Sequence, residues 1–313
     1  MSEVLRAPLM RYPQLVPQSF RGGAVTIGNF DGVHRGHERV LKSLREIADN
    51  SPAVLVTFYP HPIRVLKPEA HLKYISSVRE KAERCKSLGI DLVYFIHFTR
   101  SIAAMSATDF IQRVLVQGLG AAHLVVGEDV AIGKGREGNL EFLRTVLPQY
   151  GIKLHPVPKL EIEGVKAGSR RIRELIENGD VAEAAELIGE AFTISARVGH
   201  GDKRGSAIGF PTANIAVGNR LIPKRGVYAC RVSITGSSYL AVANIGVRPT
   251  FNGSSERLEV HILDLPARSL YGTRIHVSFI ARLRAEQRFD SMVALSNQIA
   301  VDVAQAREVL SRG

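Results

Sequence analysis

Gly28-Asn29-Phe30-Asp31-Gly32-Val33-His34-Arg35-Gly36-His37 follows the apolar run Ala24-Val25-Thr26-Ile27 and precedes a stretch patterned as a helix over 38–48. Phosphates bind where a parallel strand hands over to a helix, because the first helical N–H groups lack intrahelical acceptors and the dipole is positive at that end. Gly28, Gly32 and Gly36 permit the tight turning and close backbone approach that an anion in such a turn requires. His34 and His37 stand three apart, which puts both imidazoles on one face of a helix start. There they can donate hydrogen bonds to one phosphate as negative charge builds on it. A plain helix cap would use the same pair, and spacing alone leaves that reading open.

Outward from this turn, strand-like segments at 24–27, 53–58, 92–98, 123–127 and 153–157 alternate with helical patterns at 38–48, 78–87, 107–117 and 140–147. Short, nearly continuous apolar strands in that alternation predict a parallel sheet with helices on both faces, and ligands then bind beyond the strands' carboxyl ends. Two further helical patterns, 169–178 and 181–188, lead to a change of texture near 189–192, which predicts domains of 1–188 and 189–313. From Thr193 the segments 194–198, 227–234, 240–245, 257–263 and 275–283 read as strands with glycine or proline between them, an antiparallel barrel or sandwich. A last helical pattern carries Leu295, Ile299, Val303, Ala306 and Leu310 at three- and four-residue spacing, an apolar stripe expected to lie on that β-domain.

The second domain holds its own polar constellation, Gly209-Phe210-Pro211-Thr212-Ala213-Asn214, preceded by the glycine-bearing 200–205 segment. On an extended chain Thr212 and Asn214 point the same way, so a hydroxyl and an amide carbonyl converge. Two neutral oxygens so placed suit Mg²⁺, which completes its shell with water and substrate phosphates. An edge-strand turn would use the same residues. Downstream, Leu258-Glu259-Val260-His261-Ile262-Leu263 sets one acid inside an otherwise apolar strand, making Glu259 a candidate base for activating a hydroxyl.

Composition narrows the classes. A chain of 313 residues with 45% hydrophobic and 23% charged residues suits two globular domains. Residues 1–20 include Arg6, Arg11 and three prolines without an apolar run, and no stretch of about 18 apolar residues occurs. The expectation is a cytoplasmic protein with no membrane partner. Cys85 and Cys230 are the only cysteines and fall in different predicted domains, which argues against a disulfide framework or thiolate metal site. The net charge of +11 fits an anionic partner, either nucleotide or nucleic acid. Aromatic residues at 6%, no tryptophan and no basic block interleaved with aromatics argue against specific nucleic-acid binding.

The 28–37 stretch resembles the HxGH signature of nucleotidyltransferases and, more narrowly, the first motif of bacterial bifunctional riboflavin kinase/FAD synthetases. Residues 209–214 match the GFPTAN motif of riboflavin kinases, and 226–228, 244–251 and 270–272 are similar to further segments of that family. The resemblance spans roughly 22–310. It implies a doubly wound, Rossmann-like nucleotidyltransferase domain followed by an antiparallel barrel with a C-terminal helix. Carried over residue by residue, it implies that Gly28, Asn29, Phe30, Asp31, Gly32, Asp129, Ser169 and Arg173 bind ATP and FMN, with His34 and His37 stabilising charge at the α-phosphorus. It likewise implies that Lys203, Gly205, Gly209, Pro211, Thr212 and Asn214 bind ATP and riboflavin. Thr212 and Asn214 would hold the Mg²⁺ of MgATP, and Glu259 would be the catalytic carboxylate. FMN and FAD are the implied products.

The match is uneven in the first domain. Tyr59 stands where relatives carry an acid before Pro-His-Pro, Val130 and Ile132 replace two phenylalanines of a glycine-bounded loop, and Gly168 and Arg170 replace a serine and a threonine ahead of Arg173. Lost rings remove stacking worth on the order of 1 kcal/mol each, a cost to affinity more than to chemistry. Two other readings therefore stay open on the sequence: a riboflavin kinase with a binding-only first domain, and a flavin-sensing regulator that binds nucleic acid.

Overall fold

The computed structural model describes residues 8–312 except 163, 200–209, 251–252 and 267–268. It divides into two compact units, Met1–Ser169 and Arg170–Gly313.

In the first unit, β1 (Leu9–Arg11), β2 (Ala24–Ile27), β3 (Ala53–Tyr59), β4 (Leu92–His97), β5 (His123–Gly127) and β6 (Lys153–Val157) form one parallel sheet in the order β1-β4-β3-β2-β5-β6. The principal connections are α1 (Arg35–Ala48), α2 (Pro62–Leu66), α3 (Val78–Ser87), α4 (Arg100–Ala103), α5 (Ala107–Phe110), which runs on as a π-helix over Ile111–Leu119, and α6 (Leu140–Val146). Strand alternation sorts the apolar side chains onto two faces. Val25, Ile27, Val54, Val56 and Val126 pack with Val114, Leu115 and Leu143 on one, while Ala24, Leu55, Val93 and Val125 pack with Leu41, Leu44, Ala82 and Cys85 on the other. Strands buried on both faces need no polar alternation, which explains their continuous apolar character. The chain builds β2, β3 and β4 to one side and then returns to lay β5 against β2. The topological switch point therefore lies at the carboxyl ends of β2 and β5, and the 28–37 turn leaves β2 there.

A short antiparallel pair, β7 (Glu161–Ile162) and β8 (Val165–Lys166), follows β6, and the second unit begins one residue into α7 (Ser169–Asn178), which leads to α8 (Val181–Ile188). β9 (Thr193–Gly199), β10 (Ala213–Ile215), β11 (Gly226–Ile234), β12 (Ser237–Thr250), β13 (Gly253–Ile262) and β14 (Arg274–Arg284) close a barrel in the order β10-β13-β12-β11-β14-β9, antiparallel throughout. Of the two β architectures open on the sequence, the structure is the barrel. Tyr228, Cys230, Leu258, Val260, Val277 and Phe279 are fully buried on the alternate positions that fill it. The other face of β11 and β12 receives α9 (Met292–Ser311), which sets Val303, Ala306 and Leu310 on Val227, Ala229 and Val242. Leu295 and Ile299 of the expected stripe are only half-buried, so the packing concentrates in the second half of the helix. Arg284 holds that helix by a bidentate pair with the buried Asp302, at 2.8 and 2.7 Å. Cys85 and Cys230 are both buried and free.

Candidate functional site

The 28–37 turn is built under strain. Gly28 donates to the Val56 carbonyl at 3.1 Å, which ties the turn to β3. A side chain at Gly28 would meet the Phe30 ring at 2.8 Å, so anything larger than glycine there would push the folded-back Phe30 ring aside. Phe30 (φ 47°), Gly32 (φ 86°) and Val33 (φ 36°) all occupy the left-handed region, which is unusual for a β-branched residue such as Val33. At Phe30 and Val33, which unlike Gly32 carry a Cβ, such conformations cost about 1–3 kcal/mol each and persist only where neighbours over-determine them. Here the neighbours are visible. The buried Asp31 carboxylate accepts from the Ile75 and Ser76 N–H groups at 3.2 and 3.1 Å, the Gly32 N–H donates to Ser76 Oγ at 3.0 Å, and Ser169 Oγ donates to the Asp31 carbonyl at 3.0 Å.

His34 caps α1, its Nδ1 accepting from the His37 N–H at 3.4 Å. In the neutral ring an accepting Nδ1 places the proton on Nε2, which makes Nε2 the donor. The two imidazoles stack at 3.7 Å between centroids, and Phe30 lies against His37 at 4.5 Å. Capping and anion binding are thus not alternatives: one ring nitrogen caps and the other remains chemically distinct. Burial, reinforced by His34 and then Lys81, holds the His37 pKa well below the ordinary imidazole range, so His37 is neutral at pH 7. His37 Nδ1 and Asn29 Oδ1 are buried with no hydrogen-bond partner among the described residues. Two orphaned polar atoms beside a glycine turn are what a site built to be completed by a polar ligand leaves behind.

The positions that depart from the family pattern also have definite places. Tyr59 is 45% exposed at the end of β3 and stacks on Tyr74 at 5.7 Å. Ile132 is buried in the sheet core and Val130 packs against it, so both fill apolar volume. Asp129 forms a 3.7 Å ion pair with Lys159. Arg170 is 93% exposed and pairs with Glu174 one turn along α7, the helix that also carries Arg173.

In the barrel, Asn214 on β10 lies directly opposite Glu259 on β13, and Glu259 lies opposite Asn244 on β12. Arg257 joins the first two: its Nε donates to Asn214 Oδ1 at 2.7 Å and its Nη2 meets Glu259 Oε1 at 2.7 Å. His261 Nδ1 lies 2.9 Å from the Pro211 carbonyl, and the rings of His261 and Phe210 meet edge to face. Thr212, half-buried, immediately precedes β10. Lys203, Gly205 and Gly209 lie outside the described residues. Thr212 and Asn214 offer neutral oxygens, the donor type Mg²⁺ takes alongside phosphate. The Glu259 carboxylate offsets the guanidinium charge held against Asn214.

Three residues of these sites were not singled out from sequence. Arg257 and His261 flank Glu259 at two-residue spacing, and strict polar–apolar alternation over 257–262 was the available signal. Lys81 shares a helix face with Cys85, a cation at a core-facing position.

A family model described as FAD synthetase matches residues 16–171, and one described as riboflavin kinase matches 188–310. Proteins named bifunctional riboflavin kinase/FMN adenylyltransferase are similar over most of their length. That of Pseudomonas fluorescens is 41% identical, covering 92% of this chain and 93% of its own, and that of Escherichia coli K12 is 40% identical over 92% of each. A crystal structure from Streptococcus pneumoniae, described as a macrolide-efflux protein, superposes with a TM-score of 0.86 at 30% identity, covering 96% of this chain and 98% of that one. Among the described residues no helix is long and apolar enough to cross a membrane. With a mononucleotide-type turn in one unit, an Asn–Glu row in the other and both family matches in register with them, the chain belongs to the bifunctional riboflavin kinase/FMN adenylyltransferase family.

Proposed function

We propose that this chain makes FMN from riboflavin in its barrel and FAD from FMN in its α/β unit, each step drawing on ATP. The functional division is placed at 188/189, next to where the riboflavin kinase match begins. A cytoplasmic setting accompanies this reading.

In the barrel the ribityl 5′-hydroxyl oxygen attacks the γ-phosphorus, its proton passes to Glu259, and the bond from that phosphorus to the ADP oxygen breaks. Thr212 and Asn214 would hold Mg²⁺, which would neutralise charge on the phosphates. Arg257 orients both Asn214 and Glu259, while His261 fixes the Pro211 carbonyl and with it the approach to Thr212. Phosphoryl transfer depends chiefly on positioning and charge stabilisation, so a carboxylate within reach of the hydroxyl suffices as base.

In the α/β unit an FMN phosphate oxygen attacks the α-phosphorus of ATP, and the bond from that phosphorus to the leaving pyrophosphate breaks. No covalent enzyme intermediate forms. His34 and His37 donate to the phosphate oxygens as charge develops, and Asn29, Ser169 and Arg173 orient the nucleotide. A neutral His37 suits this role as donor, since it carries a proton without requiring a buried second charge.

The observation that carries the reading is the strained 28–37 turn with its two orphaned polar atoms. Purified full-length protein given FMN, ATP and Mg²⁺ should yield FAD and pyrophosphate, and given riboflavin should yield FMN first. FMN formation without FAD would select the binding-only reading of the first unit, and turnover at neither site would reject both activities.

A further inference from the structure

Lys81 is a buried cation that the chemistry above does not use. It lies on α3 with 7% of its surface exposed, and its Nζ donates to the Asn29 carbonyl at 2.6 Å and to Thr57 Oγ1 at 3.1 Å. The Thr57 hydroxyl in turn donates to the same Asn29 carbonyl at 2.9 Å. Two donors from two different elements therefore converge on one backbone oxygen at the first bend of the turn. Among the described residues no carboxylate lies within ion-pair distance of Lys81, and its third N–H has no acceptor. Burial depresses its pKa, while the nearby Asp31 charge works against that trend. An ammonium held inside a protein without a paired carboxylate is costly, and a leucine or methionine would fill the same volume without that cost.

The geometry says what the cost secures. A peptide group is planar and trans, so drawing the Asn29 carbonyl toward α3 turns the Phe30 N–H to the opposite side. That N–H has no acceptor among the described residues, and Phe30 sits at φ 47°, a conformation held from outside. Successive amides fixed in left-handed turns make anion-binding concavities. The buried ammonium also adds fixed positive charge directly behind the turn.

We propose that Lys81 is a positioning residue of the adenylyl-transfer site, clamping the Asn29–Phe30 peptide so that its N–H faces the phosphates of ATP, with the Lys81 charge behind it. The proposal rests on the adenylyltransferase reading above. The test uses full-length protein with Lys81→Met, which keeps the stem and removes the charge, and follows FAD formation from FMN and FMN formation from riboflavin in the same preparation. Lys81→Met should lower kcat for FAD formation by about 10–100-fold while the KM for FMN stays within about twofold, and the barrel's FMN formation should be unchanged. Undiminished kcat in that variant overturns the proposal, as does loss confined to the KM for FMN. If Lys81→Met does not fold, Thr57→Val loosens the same carbonyl without touching the cation. It should then lower kcat with KM intact, and an unchanged kcat would overturn the proposal equally. Wild-type protein that makes no FAD would overturn the underlying reading and this proposal together.

Discussion

Replacing Glu259 by glutamine separates chemistry from stability in one substitution. The carboxylate lies 2.7 Å from Arg257 Nη2, and the two side chains are 27% and 22% exposed. Glutamine is nearly isosteric and its carbonyl oxygen can still accept from Arg257, so the fold loses only a partly solvated ion pair, about 0–1 kcal/mol. The reaction loses its proton acceptor, which is worth about 10²–10⁴-fold in rate, or roughly 3–5 kcal/mol of transition-state stabilisation. Glu259→Gln should therefore melt within a few degrees of wild type. Its kcat for FMN formation at saturating MgATP, read by chromatography of the flavin products, should fall at least a hundredfold. The KM for riboflavin should move little, and FAD formation from supplied FMN should be unchanged. A fall of less than tenfold would show that Glu259 is not the base. A parallel fall in FAD formation would show that the two sites are not separate.

Removing Asp302 by alanine strands Arg284 against α9 and should cost the barrel unit about 3–5 kcal/mol in chemical denaturation, and a loss under about 1 kcal/mol would refute the buried pair. Gly32→Ala places a Cβ 2.7 Å from Ile75 at φ 86°; it should destabilise the first unit by more than about 1 kcal/mol and reduce FAD but not FMN formation. The low pKa of His37, caused first by burial and then by His34 and Lys81, means that the unfolded chain binds more protons than the folded one below the ordinary imidazole value of 6.5. Stability of the first unit should then decline as pH falls through that value, by up to about 1.4 kcal/mol per pH unit, and flat calorimetric stability between pH 7 and 5 would contradict the burial of a neutral His37.

The parts of the fold carried by long periodic signals were legible. Strands at 24–27, 123–127 and 153–157 have the bounds that apolar runs between glycines and polar turns imply, and α3, α7 and α8 likewise. β1 was not, because three residues at an edge carry too little pattern to outweigh the surrounding prolines. α1 opens at Arg35, where the turn implied a helix start, three residues ahead of the apolar pattern that begins at 38, and its cap is His34 rather than a Ser, Thr, Asp or Asn. The barrel strands run longer than their apolar cores, most visibly β12, which continues to Thr250. At the site, the turn and the Thr212–Asn214–Glu259 set were readable as motifs, but the contacts that aim them were not. Lys81 reaches Asn29 across 52 positions and Arg257 reaches Asn214 across 43. Nothing local in either segment encodes those meetings, because the sheet and barrel topologies create them.

The central claim is that one polypeptide carries two independent nucleotide chemistries, and mixing two variants tests it most directly. Glu259→Gln should retain FAD formation from FMN, and His37→Ala should retain FMN formation from riboflavin. Neither alone should convert riboflavin to FAD at an appreciable rate. Combined in one vessel with riboflavin, ATP and Mg²⁺, the two should restore FAD, with FMN passing between them through solution. FMN that accumulates in the mixture without any FAD would contradict the account.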